Sequence, residues 1–371
     1  MSKILIICNS FWPENNPRSF RASELAVEMA RQSHEVHVWK PNVSFEQQQY
    51  AEEQGLKINS IGDFKRKPPI QGNNKISKFF GRIVNRWFQL YLEFPDIKLL
   101  FLVKKAIKSY KQHDYDFCIS IAVPYPIHWG TAIGLSKNKI AKVWIADCGD
   151  PFMGDESDSF RHPFYFKFIE KYFCRKADFI TVPTNNSYKG YYEEFWNKIK
   201  VIPQGFNFEK VKLSESRTTF DCPTFGYAGG VIPNYREPFE LLDYLVGFEG
   251  DFRFIVYSSK LKYFLPYKSK LGEKLILNGV TDRLDVLFEF SKLDFVVNFN
   301  NKGNKQTASK LIDYYIIKKP ILNIDYKQFN SEEFDKFYSG DYENKLIIKD
   351  PDQYRIQSVA SKFISLGTNQ H

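Results

Sequence analysis

A chain of 371 residues is too long for one ordinary core, so two domains of roughly 150–200 residues are expected. Hydrophobic residues make up 43% and aromatics 17%, which excludes a disordered chain. The net charge of +9 is concentrated in positions 65–111, where twelve Lys or Arg face only Glu93 and Asp96. A localised anionic partner surface is implied.

In chain order, "KILIICNS" opens as a buried strand, followed by the loop "FWPENNPRSF", a helix "RASELAVEMARQ" and the alternating strand "HEVHVWK". Strand, loop, helix and strand within about 40 residues make a βαβ unit, whose site is expected at the C-terminal ends of its strands. In the basic segment, Ile76, Phe79, Phe80, Ile83, Trp87 and Tyr91 recur at helical spacing, with Lys75, Lys78, Arg82 and Arg86 beside them. This pattern suits an amphipathic helix lying on an anionic membrane, or a core helix with solvated lysines. No nucleic-acid module surrounds it, so no nucleic acid is expected. Strands follow at "DFCISIA", "KVWIAD" and "FITVP", and "KVIPQG" closes the first half.

After Gly205 the grammar restarts. "TFGYAGG" reads as a strand ending in a glycine turn, then "REPFELLDYLVGF" as a helix and "DFRFIVYSS" and "KLILNGV" as strands. "DRLDVLFEF" and "SKLIDYYII" read as helices around the strand "LDFVVNFN", and "KPILNID" as the last strand. The division expected is an N-terminal domain over 1–205 carrying the basic segment 65–111, and a C-terminal domain over 206–349. The closing helix in 350–371 has no strand after it and is free to pack on either domain, packing back on the N-terminal one being one of the two options. Five scattered cysteines without a CxxC pair read as free thiols in a reducing, cytoplasmic compartment. No signal peptide or membrane-spanning run is expected.

Each candidate site residue also has a plain structural reading. Thr307, Ser309 and Lys310 stand at a helix mouth, where unpaired N–H groups attract phosphate, with Asp313 one turn on; equally, Thr307 or Ser309 is a helix cap. The glycines of "YAGG", with Gly229 among them, let backbone approach a ligand, and Arg236 is able to fork onto a phosphate; equally, this is a tight turn and a solvated arginine. Arg18 and Arg21 crowd the mouth of the first helix as an anion site or as ordinary surface charges. His128 follows a predicted strand, where it either faces the crevice or is hydrogen-bonded in place. Asp147 and Asp150 are three apart rather than two, so they do not form a DxD metal–nucleotide pair. GxGxxG and GxxxxGK[ST] are also absent, which disfavours dinucleotide oxidoreduction and P-loop chemistry.

Taken in order, "SFWPENNPRSFRASELAVEMARQSHEVHV", "SIAVPYPIH", "WIADCGDPF", "VIPQGFN", "FGYAGG" and "SKLIDYYIIKKPIL" resemble the motifs of GT-B glycosyltransferases of the retaining family 4 type that build bacterial surface polysaccharides. The resemblance runs over nearly the whole chain. It implies an α/β fold of two facing Rossmann-like domains with a cleft, a nucleotide-sugar donor held mainly by the C-terminal domain, and no cofactor or metal. By position, it implies Arg236 and Lys310 on the diphosphate, Asp313 on the ribose, and Asn16, Arg18, Gly229, Thr307 and Ser309 around the donor. It places His128 at the donor sugar near the reaction centre, and His128 and Asp150 are the candidate catalytic residues. The acceptor would be a glycan, free or carried on a polyprenyl diphosphate at the inner membrane face, met by Lys75, Lys78, Arg82, Arg86 and Trp87. The chain departs from the family pattern at Asn15-Asn16, where Gly-Gly is frequent, at Asp313, where Glu is usual, and at Gly230, near which many relatives keep a basic residue. A UDP-sugar 2-epimerase of similar architecture and a non-catalytic glycan- or membrane-binding relative are the alternatives.

Overall fold

The computed structural model describes residues 1–67, 69–70, 74–149, 151–154, 161–185, 187–302 and 310–368, with backbone only at Lys75, Ile76 and Lys310. Two compact units emerge: Met1–Phe206 together with Gln353–His371, and Asn207–Asp352.

The first unit begins with β1 (Lys3–Ile7), α1 (Pro17–Arg31), β2 (Glu35–Lys40), α2 (Phe45–Glu53) and β3 (Lys57–Ser60). It continues through α3 (Lys75–Leu92), α4 (Lys98–Ser109), β4 (Tyr115–Ile121), α5 (Pro126–Leu135), β5 (Ala141–Asp147), α6 (Phe166–Lys176), β6 (Phe179–Val182) and β7 (Ile199–Val201). Its seven strands are ordered β3-β2-β1-β4-β5-β6-β7, and every pairing is parallel. The period of two along β1 sends Leu5 and Ile7 into one apolar layer, with Trp129 and Trp144. Ile4 and Ile6 enter the other, with Leu25 and Phe117.

α1 starts four residues before the helix read from the sequence. Asn16 caps it by accepting from the Arg18 and Ser19 amides, and Pro17 occupies the first turn, where its missing N–H costs nothing. Periodicity also passed over α2, of which only Gln47 and Ala51 are buried, and α5, whose residues are buried nearly all round.

The second unit comprises β8 (Thr224–Ala228), α7 (Phe239–Val246), β9 (Arg253–Tyr257), α8 (Leu265–Leu271), β10 (Leu275–Asn278), α9 (Arg283–Phe290), β11 (Phe295–Phe299), α10 (Lys310–Ile316), β12 (Ile321–Ile324) and α11 (Ser331–Tyr338). The parallel order is β10-β9-β8-β11-β12, so the winding direction reverses between β8 and β11. Phe225 stacks at 4.8 Å on Phe254 and 4.9 Å on Phe295, with Phe334 edge-on, and so joins three strands to α11. The chain then returns to the first unit as α12 (Ile356–Thr368), anchored by Phe206 N–H to Tyr354 O (2.8 Å) and Ile356 N–H to Phe206 O (2.9 Å). Ile356, Val359, Ala360 and Phe363 complete the apolar layer over α1.

Candidate functional site

In a doubly wound sheet, ligands bind beyond the carboxyl ends of the strands at the point where the winding reverses. The second unit has a cavity of about 280 Å³ beyond the ends of β8, β9 and β10, beside that point. Backbone of Ala228, Gly229 and Gly230 follows β8, Ser258 and Ser259 follow β9, and Gly279, Val280 and Thr281 follow β10. Val286, Leu287 and Phe290 of α9 form an apolar wall, and Asp313 and Tyr314 of α10 close the other side.

The two turn glycines differ in how tightly they are enclosed. A Cβ at Gly229 would stand 2.8 Å from Tyr227 Oη, whereas one at Gly230 would meet nothing nearer than Arg236 Nη2 at 3.8 Å. The Gly230 carbonyl accepts from Tyr227 Oη (2.9 Å) and Arg236 Nε (3.1 Å), so Arg236 is held beside the glycine turn. It lies in the turn before α7 rather than on the helix. Tyr314 Oη receives the Ala228 amide at 3.0 Å and ties α10 to the end of β8. Next to it, Asp313 Oδ1 accepts from Arg283 Nε at 2.9 Å and also from Nη2. Burial pushes the Asp313 carboxyl above its ordinary value, and Arg283 opposes that rise.

Arg283 was missed by sequence reasoning. It lies inside a correctly read helix, and no local signal links it to a carboxylate on another helix. Thr307 and Ser309 lie outside the described residues, so the helix-mouth reading falls there; Lys310 is the first residue of α10.

In the first unit, the structure separates residues that the sequence grouped. Arg21 is buried, with Nε 3.0 Å and Nη2 2.8 Å from the two Asp147 oxygens. It also donates to Pro203 O (2.5 Å) and Ile202 O (3.3 Å), and lies 4.9 Å over the Phe363 ring. Thr181 Oγ1 adds a 2.7 Å donor to Asp147. Burial pushes the Asp147 carboxyl up, but Arg21, with Arg18 and Thr181 adding to it, holds the net value below the ordinary one. Arg21 is therefore an internal tie rather than an anion site. Arg18 is different: its side chain is 23% exposed, 3.9 Å from Asp147, and lies against Gly149, where a Cβ would come within 2.1 Å of Nη2. Asn16, expected beside the donor, directs its carbonyl oxygen to the α1 amides as a cap.

His128 departs from the crevice-facing expectation. It has no exposed surface; Nδ1 is 2.8 Å from Ser120 Oγ, which accepts from Trp144 Nε1, and Nε2 is 3.4 Å from Cys148 Sγ. Tyr125 and Phe173 pack on the ring. Burial pushes its pKa down to about 3, so the imidazole is neutral at physiological pH. A side chain so enclosed by β4, β5 and α6 does not meet a sugar; it is a satisfied core histidine. Asp150, paired with it in the sequence reading, lies outside the described residues.

The amphipathic pattern at 75–91 does form a helix, but its apolar side faces outward. Phe79, Phe80, Ile83 and Trp87 of α3 are each at least half exposed, and Lys78 and Arg82 are exposed beside them. This is not a core helix. Among the described residues no helix is long and apolar enough to cross a membrane.

No family model matches the chain, and no curated protein matches it in sequence. Its fold does have counterparts among solved structures. A glycosyltransferase from Rickettsia africae superposes with a TM-score of 0.64 at 10% identity, covering 99% of this chain and 97% of that one. The lipopolysaccharide outer core galactosyltransferase WaaB gives 0.59 at 12% identity, covering 98% of each chain. HepE of Anabaena, solved in complex with UDP-glucose, gives 0.58 at 12% identity over 99% and 97%. The chain has the fold of these proteins, two Rossmann-like units of the GT-B type.

Proposed function

We propose that the protein is a glycosyltransferase that moves a sugar from a nucleotide-sugar donor to a glycan or lipid-linked glycan. The observation that carries this reading is the cavity at the ends of β8, β9 and β10, which combines a glycine turn, an apolar wall and a carboxylate. Those are the chemistries a nucleoside diphosphate requires. The wall of Val286, Leu287 and Phe290 suits a flat base, Asp313 suits the ribose diol, and the Gly229-Gly230 backbone with Arg236 suits phosphate. Lys310, Thr307 and Ser309 keep the diphosphate role that the resemblance implies. Because HepE binds UDP-glucose, a uridine nucleotide is the first donor class to test.

In the transfer, the bond from the donor C1 to the diphosphate breaks, and the acceptor oxygen bonds to C1. The acceptor proton passes to the departing phosphate. Negative charge grows on that phosphate, and fixed cations near it lower the barrier without a strong acid. Attack from the face of the departing group gives retention of configuration, with no step routed through a metal or other cofactor. His128 supports the fold behind this chemistry from within the core, and Asp150 keeps the catalytic role expected of it. The exposed face of α3 fits peripheral contact with an anionic membrane from the cytoplasmic side, in the context of capsule, O-antigen or exopolysaccharide synthesis.

A thermal-shift series against nucleoside diphosphates and nucleotide sugars tests the reading, since a ligand that binds only the native state raises the melting temperature. A shift with one base family, abolished by Asp313→Ala, supports a donor site. No shift with any nucleotide sinks it in favour of a non-catalytic binding protein. An epimerised sugar released without acceptor identifies the epimerase instead.

A further inference from the structure

In the first unit, β5 ends at the carboxyl edge of a parallel sheet, the edge where such folds bind ligands, and the segment after it is tied down at several points. Asp150 falls in this segment by sequence, between Gly149 and Pro151. On one side, Gly149 lies against the Arg18 guanidinium. On the other, Phe152 is buried, stacked at 4.1 Å on His162 and packed against Tyr125, Trp129 and Phe166. Gly154 and Gly190 interlock: a Cβ on the first would collide with the Gly190 carbonyl, and one on the second with the Pro151 ring.

Beneath this packing is a carboxyl group that the transfer chemistry above does not use. Glu170 of α6 is 1% exposed. Its Oε1 accepts from the Met153 amide at 3.2 Å, and its Oε2 accepts from Tyr192 Oη at 2.8 Å. Tyr192, from the segment after β6, is itself fixed to α6, with Lys171 Nζ 4.6 Å over its ring. Burial pushes the Glu170 carboxyl up to about 7, against the pull of Tyr192 and of the Met153 and Phe152 amides. An apolar side chain would fill the same space without that cost, but it would take away the acceptor of the Met153 amide.

We propose that Glu170 is a positioning residue for glycosyl transfer: from α6 it fixes the segment that carries Asp150, by its reach and its two acceptor oxygens rather than by its charge. This inference rests on the glycosyltransferase reading. Both groups that the side chain touches are neutral donors, so the anchor does not depend on a cation. Glutamine has the same length and one oxygen for the Met153 amide, and its amide N–H is able to donate to Tyr192 Oη. Aspartate keeps the charge but is one methylene short. Misplacing a reacting group by about 1 Å costs up to about a hundredfold in rate. The shorter side chain should therefore slow turnover and leave the nucleotide cavity of the other unit untouched.

The test compares Glu170→Gln, Glu170→Asp and Glu170→Ala with the wild-type full chain. Release of UDP from UDP-glucose, or from the nucleotide sugar that gives the largest thermal shift, reads kcat with water as acceptor. Titration with the free nucleoside diphosphate reads affinity. Glu170→Asp and Glu170→Ala should lose about tenfold or more in kcat at unchanged affinity, and Glu170→Gln should match wild type. Amide exchange of Phe152 and Met153 reads the anchor directly, about tenfold faster in the first two variants and unchanged in the third. Melting curves check folding, and the aspartate and glutamine variants decide the matter should the alanine variant not fold. Glutamine losing as much as aspartate, aspartate matching wild type, or kcat and affinity falling together would each overturn the assignment. A wild-type chain that binds no nucleotide would sink the transferase reading and the positioning role with it. The exchange pattern would then still decide whether Glu170 holds the segment.

Discussion

Arg283 and Asp313, thirty residues apart, meet across the mouth of the C-terminal unit's cavity, with Arg283 Nε 2.9 Å from Asp313 Oδ1. Both contacts from the guanidinium fall on that one oxygen. Oδ2 takes no hydrogen bond from the described residues.

Asp313→Ala is expected to weaken nucleotide binding by about 1.5–3 kcal/mol, the range for a hydrogen bond to a charged group. Calorimetric titration with the nucleoside diphosphate that gives the largest thermal shift measures this. Unchanged affinity would return α10 to a purely structural role.

Arg283→Ala should make that affinity dependent on pH. Burial raises the Asp313 pKa and Arg283 restrains it, so removing the arginine raises it further. The carboxylate then protonates at a higher pH as acid is added, and the midpoint of affinity loss moves upward relative to wild type. Coincident profiles would show that Arg283 does not govern the ionisation.

Gly130 and Gly149 should respond oppositely to alanine. At Gly130 a Cβ would stand 2.6 Å from the Leu100 carbonyl oxygen, which is backbone of α4 and cannot swing away. Overpacking there is expected to cost about 1–3 kcal/mol. At Gly149 the obstacle is the end of the flexible Arg18 side chain, so the fold should tolerate the methyl while Arg18 is displaced. Denaturant melts distinguish the two, and nucleotide titration of Gly149→Ala then tests whether Arg18 touches the donor.

Asp147→Ala should cost about 3–5 kcal/mol, because it leaves the buried Arg21 charge unpaired. The folded pKa of Asp147 lies below its unfolded value, so its contribution is complete above the ordinary carboxylate pKa and disappears as pH falls through the depressed one. His128 acts over a higher range. With its folded pKa near 3, the unfolded chain takes up a proton first as pH falls below the ordinary imidazole value, and stability declines from there towards pH 3. His128→Gln should flatten that decline in urea melts at stepped pH. A slope unchanged by the substitution would mean that His128 is protonated in the folded protein.

What was legible in the sequence was whatever leaves a local trace. The apolar run of β1, the alternation of β2 and the renewed strand–turn–helix order after Gly205 announce two parallel α/β units, because burial on both faces of a sheet writes itself into consecutive residues. The glycine turn after β8 and the position of Asp313 were also visible, since each is tied to the end of a strand or the first turn of a helix. The partners of charged residues were decided only by the tertiary structure. Arg21 and Arg18 share one helix and one residue type, yet one closes on Asp147 in the core and the other keeps a solvent edge. His128 looked like a crevice residue until β5 and α6 enclosed it. The period of α3 was plain from the start, but whether its apolar row faced a core or the outside was not. Periodicity specifies that a face exists, and only the packing of neighbouring elements determines what covers it.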